Sequence, residues 1–576
     1  MKKSEYAVLG ISYGLNDSAA GLIINGKVIA SAEEERFNRE KHTRKFPFHS
    51  IQYVLNEAGV TLSDITDVAY YWNTHGRIKE RLFLHGKELL WRTGSLKKFV
   101  RYLNGILKDR KDYDIKDMLF PGLALKKHFP DHRHHYKLTT ENHHDTHAAC
   151  TFFQSGFDRS AILIIDGSGE IECVSLYLGE GNKIRFIESQ KLPHSLGVFY
   201  GGVTEYLGFK KFDAEYKVMG LASYGKPIYY NDMKSILKYK TGIRFSLDDD
   251  YFQFQYGEET WFTEKFNHLF GPTRKSDEPV EQKHKDIAAS AQLLLEEVLL
   301  EMCKYSLTKS GTNKLCFAGG VALNCSANGK IADKLNLDGF FVHPASHDGG
   351  TALGAALLVS SRKYDRHFHP GELPYLGPAY SNAEIESILK DTGKVKYHLS
   401  KNIEAELAEH ISQGKVCCRF NGRMELGPRA LGNRSILADP RNESIRENIN
   451  IKVKFREEFR PFAPSCLIED FDKYFEGVKD PYMVFTQKAK PITKEKLPAI
   501  VHIDGTARVQ VVTSEINPSY YKLISEVKKR TGHGVVLNTS FNIQEPIVCS
   551  PKDALKTFCI STMDTLAIGD FIVEHN

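Results

Sequence analysis

At 576 residues the chain is longer than one hydrophobic core can organise, so two or more domains are expected. With 41% hydrophobic and 26% charged residues the composition is globular, and no run of 18 or more apolar residues offers a membrane span. A net charge of +5 is too mild over this length to argue for a nucleic-acid partner, and ten scattered cysteines without a Cys-x-x-Cys pair argue against a zinc ribbon or a disulfide framework.

Met1-Lys2-Lys3-Ser4-Glu5 leads into a strand-like segment rather than an apolar signal region, which sets the expectation of a cytoplasmic protein without a membrane partner. Tyr6 to Ser12 reads as a buried strand. After the polar stretch through Asn16-Asp17-Ser18, Gly21 to Ile24 turns at Asn25-Gly26, a strong hairpin signal, into Val28 to Ala30. Residues 75 to 112 alternate apolar positions with Lys and Arg and read as basic amphipathic helices, expected to form a solvated surface insertion.

His143-His144-Asp145-Thr146-His147 places two imidazoles one helical turn apart, and Asp166 ends the apolar run Ile162 to Ile165. Two His and a carboxylate suit a divalent ion, iron or zinc, that keeps open positions, although a His-x-x-x-His pair alone could merely solvate a helix start. The segment from Ala161 through the turn Gly179-Glu180-Gly181-Asn182 to Ile187 repeats the plan of residues 6 to 30, which predicts an internal duplication with two polar loops facing one cleft. Residues 244 to 262 mix aromatics with Asp248, Asp249, Asp250, Glu258 and Glu259; an edge hairpin is favoured over an acceptor pocket.

A third strand, Lys314 to Ala318, passes Gly319-Gly320 and Asn324 into a helix from Ser326 to Leu335, and glycines at such a turn let backbone approach a nucleotide. Gly339 to Val342 then runs to Asp348 at a strand's end, followed by a small-residue helix, Thr351 to Leu358. A Pro- and Gly-containing passage from His367 to Pro378 reads as an interdomain linker.

The second half is marked by cations beside apolar residues. Arg419 to Ser435 contains Gly427-Pro428-Arg429, and Asn450 to Pro464 contains Lys454 and Arg460-Pro461-Phe462. Burying such charges is costly without anions, so either a phosphate or internal partners such as Glu425, Asp439, Glu457 and Glu458 must satisfy them. Leu537-Asn538-Thr539-Ser540-Phe541-Asn542 ends an apolar strand with amide and hydroxyl groups suited to an oxyanion or a carbamoyl group.

Ala32-Glu33-Glu34-Glu35-Arg36-Phe37, Glu215-Tyr216-Lys217-Val218-Met219-Gly220-Leu221-Ala222, Gly427-Pro428-Arg429-Ala430-Leu431-Gly432 and Leu537 to Asn542 together resemble the NodU/CmcH carbamoyltransferases along nearly the whole chain, a family with antibiotic-tailoring members. The resemblance implies an α/β protein: a duplicated actin-like (ASKHA-type) ATPase fold over residues 1–365, a linker over 366–384 and a YrdC-like domain over 385–576. It implies ATP-dependent O-carbamoyl transfer from carbamoyl phosphate, through carbamoyl-adenylate, to a hydroxyl of a small secondary metabolite, with ATP, Mg²⁺ and Fe²⁺ or another divalent ion as cofactors. By the same resemblance His143, His147, Asp166 and Asp348 hold the metal, and Gly319, Gly320 and Asn324 contact nucleotide. Arg429, Lys454, Arg460, Arg508, Asn538 and Ser540 bind carbamoyl phosphate and the adenylate, with Arg429, Lys454 and Ser540 also catalytic. A monomer or homodimer is expected.

One position departs from that pattern. Many relatives carry a His directly before the Asp of the first polar loop, where this chain has Asn16 before Asp17. An amide cannot serve as base, so Asp17 or a metal-bound group is expected to take the acceptor's proton. Carbamoyl transfer to tRNA, or an ATP-gated binding module without transfer chemistry, are the alternatives.

Overall fold

The computed structural model describes residues 6–73, 115–254, 260–364, 373–393, 395–457 and 459–576. The basic segment 75 to 112 lies outside the described residues, as do Glu258, Glu259, Glu458 and part of the 366–384 passage. The described residues fall into two compact units, the first within Met1–Glu34, His42–Ala327 and Lys334–Gly371 and the second within Glu35–Lys41, Asn328–Asp333 and Glu372–Asn576. Both are α/β.

In the first unit β1 (Ala7–Ser12), β2 (Ala19–Ile24), β3 (Lys27–Glu33), β4 (Asp67–Tyr70) and β5 (Lys137–Thr140) form a sheet in the order β3-β2-β1-β4-β5. β1 runs antiparallel to β2 and parallel to β4. The Asn25-Gly26 turn closes the β2–β3 hairpin with both residues at positive φ, as a tight two-residue connection of twisted strands requires. β6 (Arg159–Ile165), β7 (Glu172–Glu180) and β8 (Lys183–Lys191) form a second antiparallel meander. β9 (Leu237–Thr241) and β10 (Arg244–Leu247) pair separately as a two-stranded ribbon, which accounts for the start of the 244 to 262 segment.

β11 (Lys314–Ala318) and β12 (Gly339–Val342) complete a second sheet, β12-β11-β6-β7-β8. β11 is parallel to both β6 and β12, so three antiparallel strands followed by two parallel ones occur twice. That repeated plan is the duplicated actin-like arrangement. The inner strands β6 and β11 read as unbroken apolar runs because both faces are covered, and Ile162, Leu163, Ile164, Leu315 and Phe317 are wholly buried.

Two helices, His143–Gln154 and Thr351–Tyr364, lie against one another. Their approach is set by a missing side chain: a Cβ on Gly354 would stand 2.0 Å from the carbonyl oxygen of Thr146. The small-residue run of the second helix thereby brings its N-terminal end, where Asp348 sits, beside the first turn of the other.

The second unit contains β13 (Val395–Leu399), β14 (Cys417–Phe420), β15 (Arg434–Ala438), β16 (Ala463–Leu467), the short β17 (Phe475–Glu476), β18 (Gln487–Ala489) and β19 (Thr506–Ala507), then β20 (Gln510–Val512), β21 (Val535–Ser540), β22 (Thr565–Ile568) and β23 (Phe571–His575). Eight of these form one sheet, β13-β23-β22-β14-β15-β21-β16-β20, and β17-β18-β19 form another. Helices Ile403–Ser412 and Pro518–Thr531 cover one face of the large sheet through Leu407, Ile411, Leu523 and Val527, while Phe471, Tyr474, Leu555 and Phe558 fill the other. Ser381 caps the helix Asn382–Thr392 by accepting from the amide of Glu384, so the end of the expected linker is already helical. Among the described residues no helix is long and apolar enough to cross a membrane.

Asp480 is buried in this unit, accepts the amide of Val484 at 2.9 Å, and is pushed by burial up to about 7. A folded-state value above the unfolded one, about 3.9, means the fold prefers the proton. Stability is therefore lost as pH rises from about 4 through about 7, by up to about 1.4 kcal/mol per pH unit. Asp480→Asn removes this loss, so its melting temperature should gain on wild type between pH 5 and pH 8; an offset equal at both pH values would refute it.

Candidate functional site

The four expected metal ligands converge. Spaced one turn apart, His143 and His147 point from one face of their helix, with their Nε2 atoms 3.1 Å apart. Asp166 enters from the end of β6, its Oδ2 lying 3.1 Å from His143 Nε2 and 3.5 Å from His147 Nε2. Asp348 Oδ1 lies 3.5 and 3.6 Å from the same two nitrogens. An ion with ligand bonds of about 2.1 Å needs donor separations of about 3.0 Å in an octahedron and about 3.4 Å in a tetrahedron, so these four residues fit a divalent cation.

The surroundings hold the ligands in that pose. Asp166 Oδ1 accepts the amides of Gly167 at 2.8 Å and Gly320 at 3.1 Å, which leaves Oδ2 facing the imidazoles. Gly319 turns at φ +91°, and a Cβ there would meet the Ile165 carbonyl oxygen at 2.2 Å, so only glycine lets β11 deliver the Gly320 amide. Glu170 accepts the amide of His143 at 3.1 Å and that of Asn73 at 2.9 Å, a carboxylate on the positive end of the ligand helix.

Charge completes the description. Burial alone would hold His143 neutral, but Asp348 and Asp166 outweigh it and push its pKa up to about 10. Asp166 and Asp348 are held below the usual carboxylate range, the two histidines overcoming burial for Asp166 and chiefly His143 for Asp348. His144, turned away to donate to or accept from Ser175 Oγ at 2.7 Å, is kept neutral by burial.

The remaining first-unit residues fall into two groups. Gly320 spends its amide on Asp166, and Asn324 exchanges amide hydrogen bonds of 2.9 and 3.0 Å with Gln292 while capping the amide of Ala327. Asp17 lies beside two histidines that sequence reasoning passed over. Its Oδ1 is 2.7 Å from His42 Nδ1, and its Oδ2 is 3.9 Å from His347 Nε2, which also meets Glu33 Oε1 at 2.8 Å. Against burial, Asp17 and Glu33 push His347 up to about 9. Its position directly before Asp348 was the available signal; nothing local marked His42. Asn16 is engaged elsewhere, accepting from Arg44 Nη2 at 3.1 Å.

In the second unit, Lys454 is buried and spends its donors on the end of β21: the Ser540 carbonyl, the Asn542 carbonyl at 2.6 Å and Asn542 Oδ1 at 2.6 Å. Burial first, then Arg456 and Arg460, hold its pKa well below the ordinary lysine value. Asn538 donates through Nδ2 to Ser465 Oγ at 2.9 Å and to the Ala430 carbonyl at 3.2 Å, tying β21 to the loop that carries Arg429, while its buried Oδ1 has no hydrogen-bond partner among the described residues. Arg508, between β19 and β20, likewise has a buried Nε without a partner among the described residues. Lys454 and Ser540 are thus in contact, Asn538 adjoins the Arg429 loop, and Arg460 lies within electrostatic reach of Lys454.

Not every cation here is available to an anion. Arg419 donates to Asn433 Oδ1 at 2.9 Å and Ser519 Oγ at 2.8 Å, and wholly buried Arg434 donates to the carbonyls of Asn421 and Pro378 while lying 3.7 Å above the Phe420 ring. Glu425 accepts the amides of Leu431 and Asn433 through one oxygen. These groups fix the Gly427 to Gly432 loop rather than face a ligand.

The family description carbamoyltransferase N-terminus matches residues 7–357, and carbamoyltransferase C-terminus matches 408–575. The chain belongs to the carbamoyltransferase family. This carbamoyltransferase is 37% identical to nodulation protein NolNO of Sinorhizobium fredii, over 97% of this chain and 79% of that protein. Nodulation protein NolO of Bradyrhizobium diazoefficiens is 40% identical over 75% of this chain and 78% of its own. An uncharacterized protein of Synechocystis sp. is 38% identical, covering 98% of this chain and 96% of that one. The enzyme is therefore a transferase of carbamoyl groups, and its two matched regions are those that carry the His/Asp centre and the cation cluster.

If the His/Asp centre holds one divalent ion, elemental analysis of protein purified without chelator should find about one ion per chain. His147→Ala and Asp166→Asn should each lower retained metal by at least about tenfold, as loss of a ligand implies. Full retention in both variants would rule the centre out.

Proposed function

We propose that this carbamoyltransferase is an ATP-dependent O-carbamoyltransferase that draws on carbamoyl phosphate, forms carbamoyl-adenylate and passes the carbamoyl group to a hydroxyl of a small metabolite. The observation that carries the reading is the convergence of His143, His147, Asp166 and Asp348 on one point. The second unit supports it with cations and unpartnered polar atoms around the end of β21.

In this reading carbamoyl phosphate is hydrolysed to carbamate and phosphate in the second unit, and carbamate attacks the α-phosphorus of ATP. A bond forms from a carbamate oxygen to phosphorus, and pyrophosphate leaves with the electron pair of the broken bond. Arg429, Arg460 and Arg508 offset the charge of the leaving groups, the Arg508 Nε being a buried donor still in need of an acceptor. Asn538 Oδ1, buried and unpartnered, accepts from the carbamoyl NH₂. Lys454 and Ser540 hold the β21 terminus in register for both partners.

Transfer is assigned to the first unit. His143, His147, Asp166 and Asp348 would hold a divalent ion, iron or another, whose Lewis acidity supplies polarisation of the carbamoyl or phosphate oxygen. Gly167 and Gly320 amides keep Asp166 aimed.

Pyrophosphate release should require ATP and carbamoyl phosphate together. Arg508→Ala should cut it by about 10 to 100-fold, the loss of one charged donor in a buried site. His147→Ala should spare pyrophosphate release yet abolish the appearance of carbamoylated product. Wild-type protein that releases no pyrophosphate above background with both substrates present would end this reading.

A further inference from the structure

Asp17 Oδ1 and Asp213 Oδ1 lie on opposite sides of the His42 ring, 2.7 Å from Nδ1 and 3.2 Å from Nε2. The arrangement is built rather than incidental. The loop after β1 is stitched to the chain around His42 by two backbone hydrogen bonds, Gly14 to the Arg44 carbonyl and Ser18 to the Thr43 carbonyl, each 3.0 Å. Asp17 and His42 both adopt left-handed φ, +44° and +53°, and Phe212, just before Asp213, stands at +65°. Non-glycine residues held there store strain, and three at one spot are what an over-determined reactive constellation displays.

The position is open and close to the metal ligands. His42 retains 32% of its side-chain exposure and Asp213 21%. On its other side Asp17 Oδ2 lies 3.9 Å from Nε2 of His347, the residue directly before Asp348. Phe212 and Trp261, edge to face at 4.8 Å, supply an apolar wall next to Asp213.

We propose that His42 is the base that takes the acceptor's hydroxyl proton, with Asp17 orienting the ring through Nδ1 and Asp213 stabilising the imidazolium; this rests on the carbamoyl-adenylate reading above. In the neutral ring Nδ1–H donates to Asp17 and Nε2 carries the lone pair; the hydroxyl, water and simple alcohols included, enters between Nε2 and Asp213 in place of that longer contact and donates to Nε2. Its O–H bond breaks as the proton moves to His42, while an oxygen lone pair forms the bond to the carbamoyl carbon. The bond from that carbon to the adenylate phosphate oxygen breaks, its electron pair departs with AMP, and His42 releases the proton to solvent. An Asp–His pair oriented through Nδ1 is suited to this task because the carboxylate fixes the tautomer and compensates the charge that appears.

The test uses the full chain with metal, ATP and carbamoyl phosphate in buffer containing glycerol as the hydroxyl probe, following pyrophosphate and AMP separately. His42→Ala should keep a pyrophosphate burst, which also reports an intact fold, but release AMP at least about 100-fold more slowly. Added imidazole should restore part of that rate. Asp213→Asn should slow AMP release by less, again with the burst intact. AMP release within about threefold of wild type in His42→Ala, or loss of the burst and of AMP in equal measure, would overturn the assignment. So would a wild-type burst followed by no AMP, because the base would then not act on simple hydroxyls. Absence of the burst in wild type instead removes the adenylate reading, and this step with it.

Discussion

Everything at the His/Asp centre follows from placing two part-buried carboxylates and two buried imidazoles within about one ion's reach. Such a set is electrostatically incomplete. Carboxylates this close repel one another, imidazole nitrogens this close compete for the same proton, and the solvent that would settle both quarrels has been excluded. The fold tolerates the arrangement because each group is fixed by something rigid: a helix turn for the histidines, two glycine amides for Asp166, and the close helix contact permitted by Gly354 for Asp348. A divalent cation satisfies all four at once, and no rearrangement of side chains is needed to admit it.

The second unit handles charge differently. Arg419 and Arg434 are buried, yet backbone carbonyls and side-chain oxygens accept from most of their donors, so they act as internal scaffolding for a loop. Lys454 does the same for the end of β21. Arg508 Nε and Asn538 Oδ1 differ in belonging to the residues expected to meet a ligand while being buried without a partner among the described residues. A run of cations in sequence thus contains two populations, and only three-dimensional accounting of donors separates them.

Much of the architecture was legible in advance. Strands β1 to β3 and β6 to β8 announce themselves by apolar runs and Asn-Gly or Gly-rich turns, and their recurrence exposed the duplication. His143, His147, Asp166 and Asp348 were legible for a related reason: each sits at the end of an element whose type the pattern settles, so its location in the fold is constrained. His42, Asp213 and Glu33 were not. They belong to different loops and strands, and their meeting depends on the stitching of residues 14 to 18 against 43 and 44, which no local periodicity encodes. Asn16 looked like a lost base from sequence; in the fold its amide anchors Arg44. Gly320 and Asn324 read as nucleotide contacts, whereas their hydrogen-bonding groups are engaged with Asp166 and Gln292.

Asp17 follows β1 and Asp166 follows β6, equivalent places in the two repeated sheets. The twin loops have diverged in what they grip: one holds the ring of a histidine, the other faces a pair of imidazoles poised for a cation. Such divergence separates two evolutionary pressures that a single loop would have to reconcile. Substitutions around the first carboxylate need not disturb the second, whose aim is set by its own pair of glycine amides.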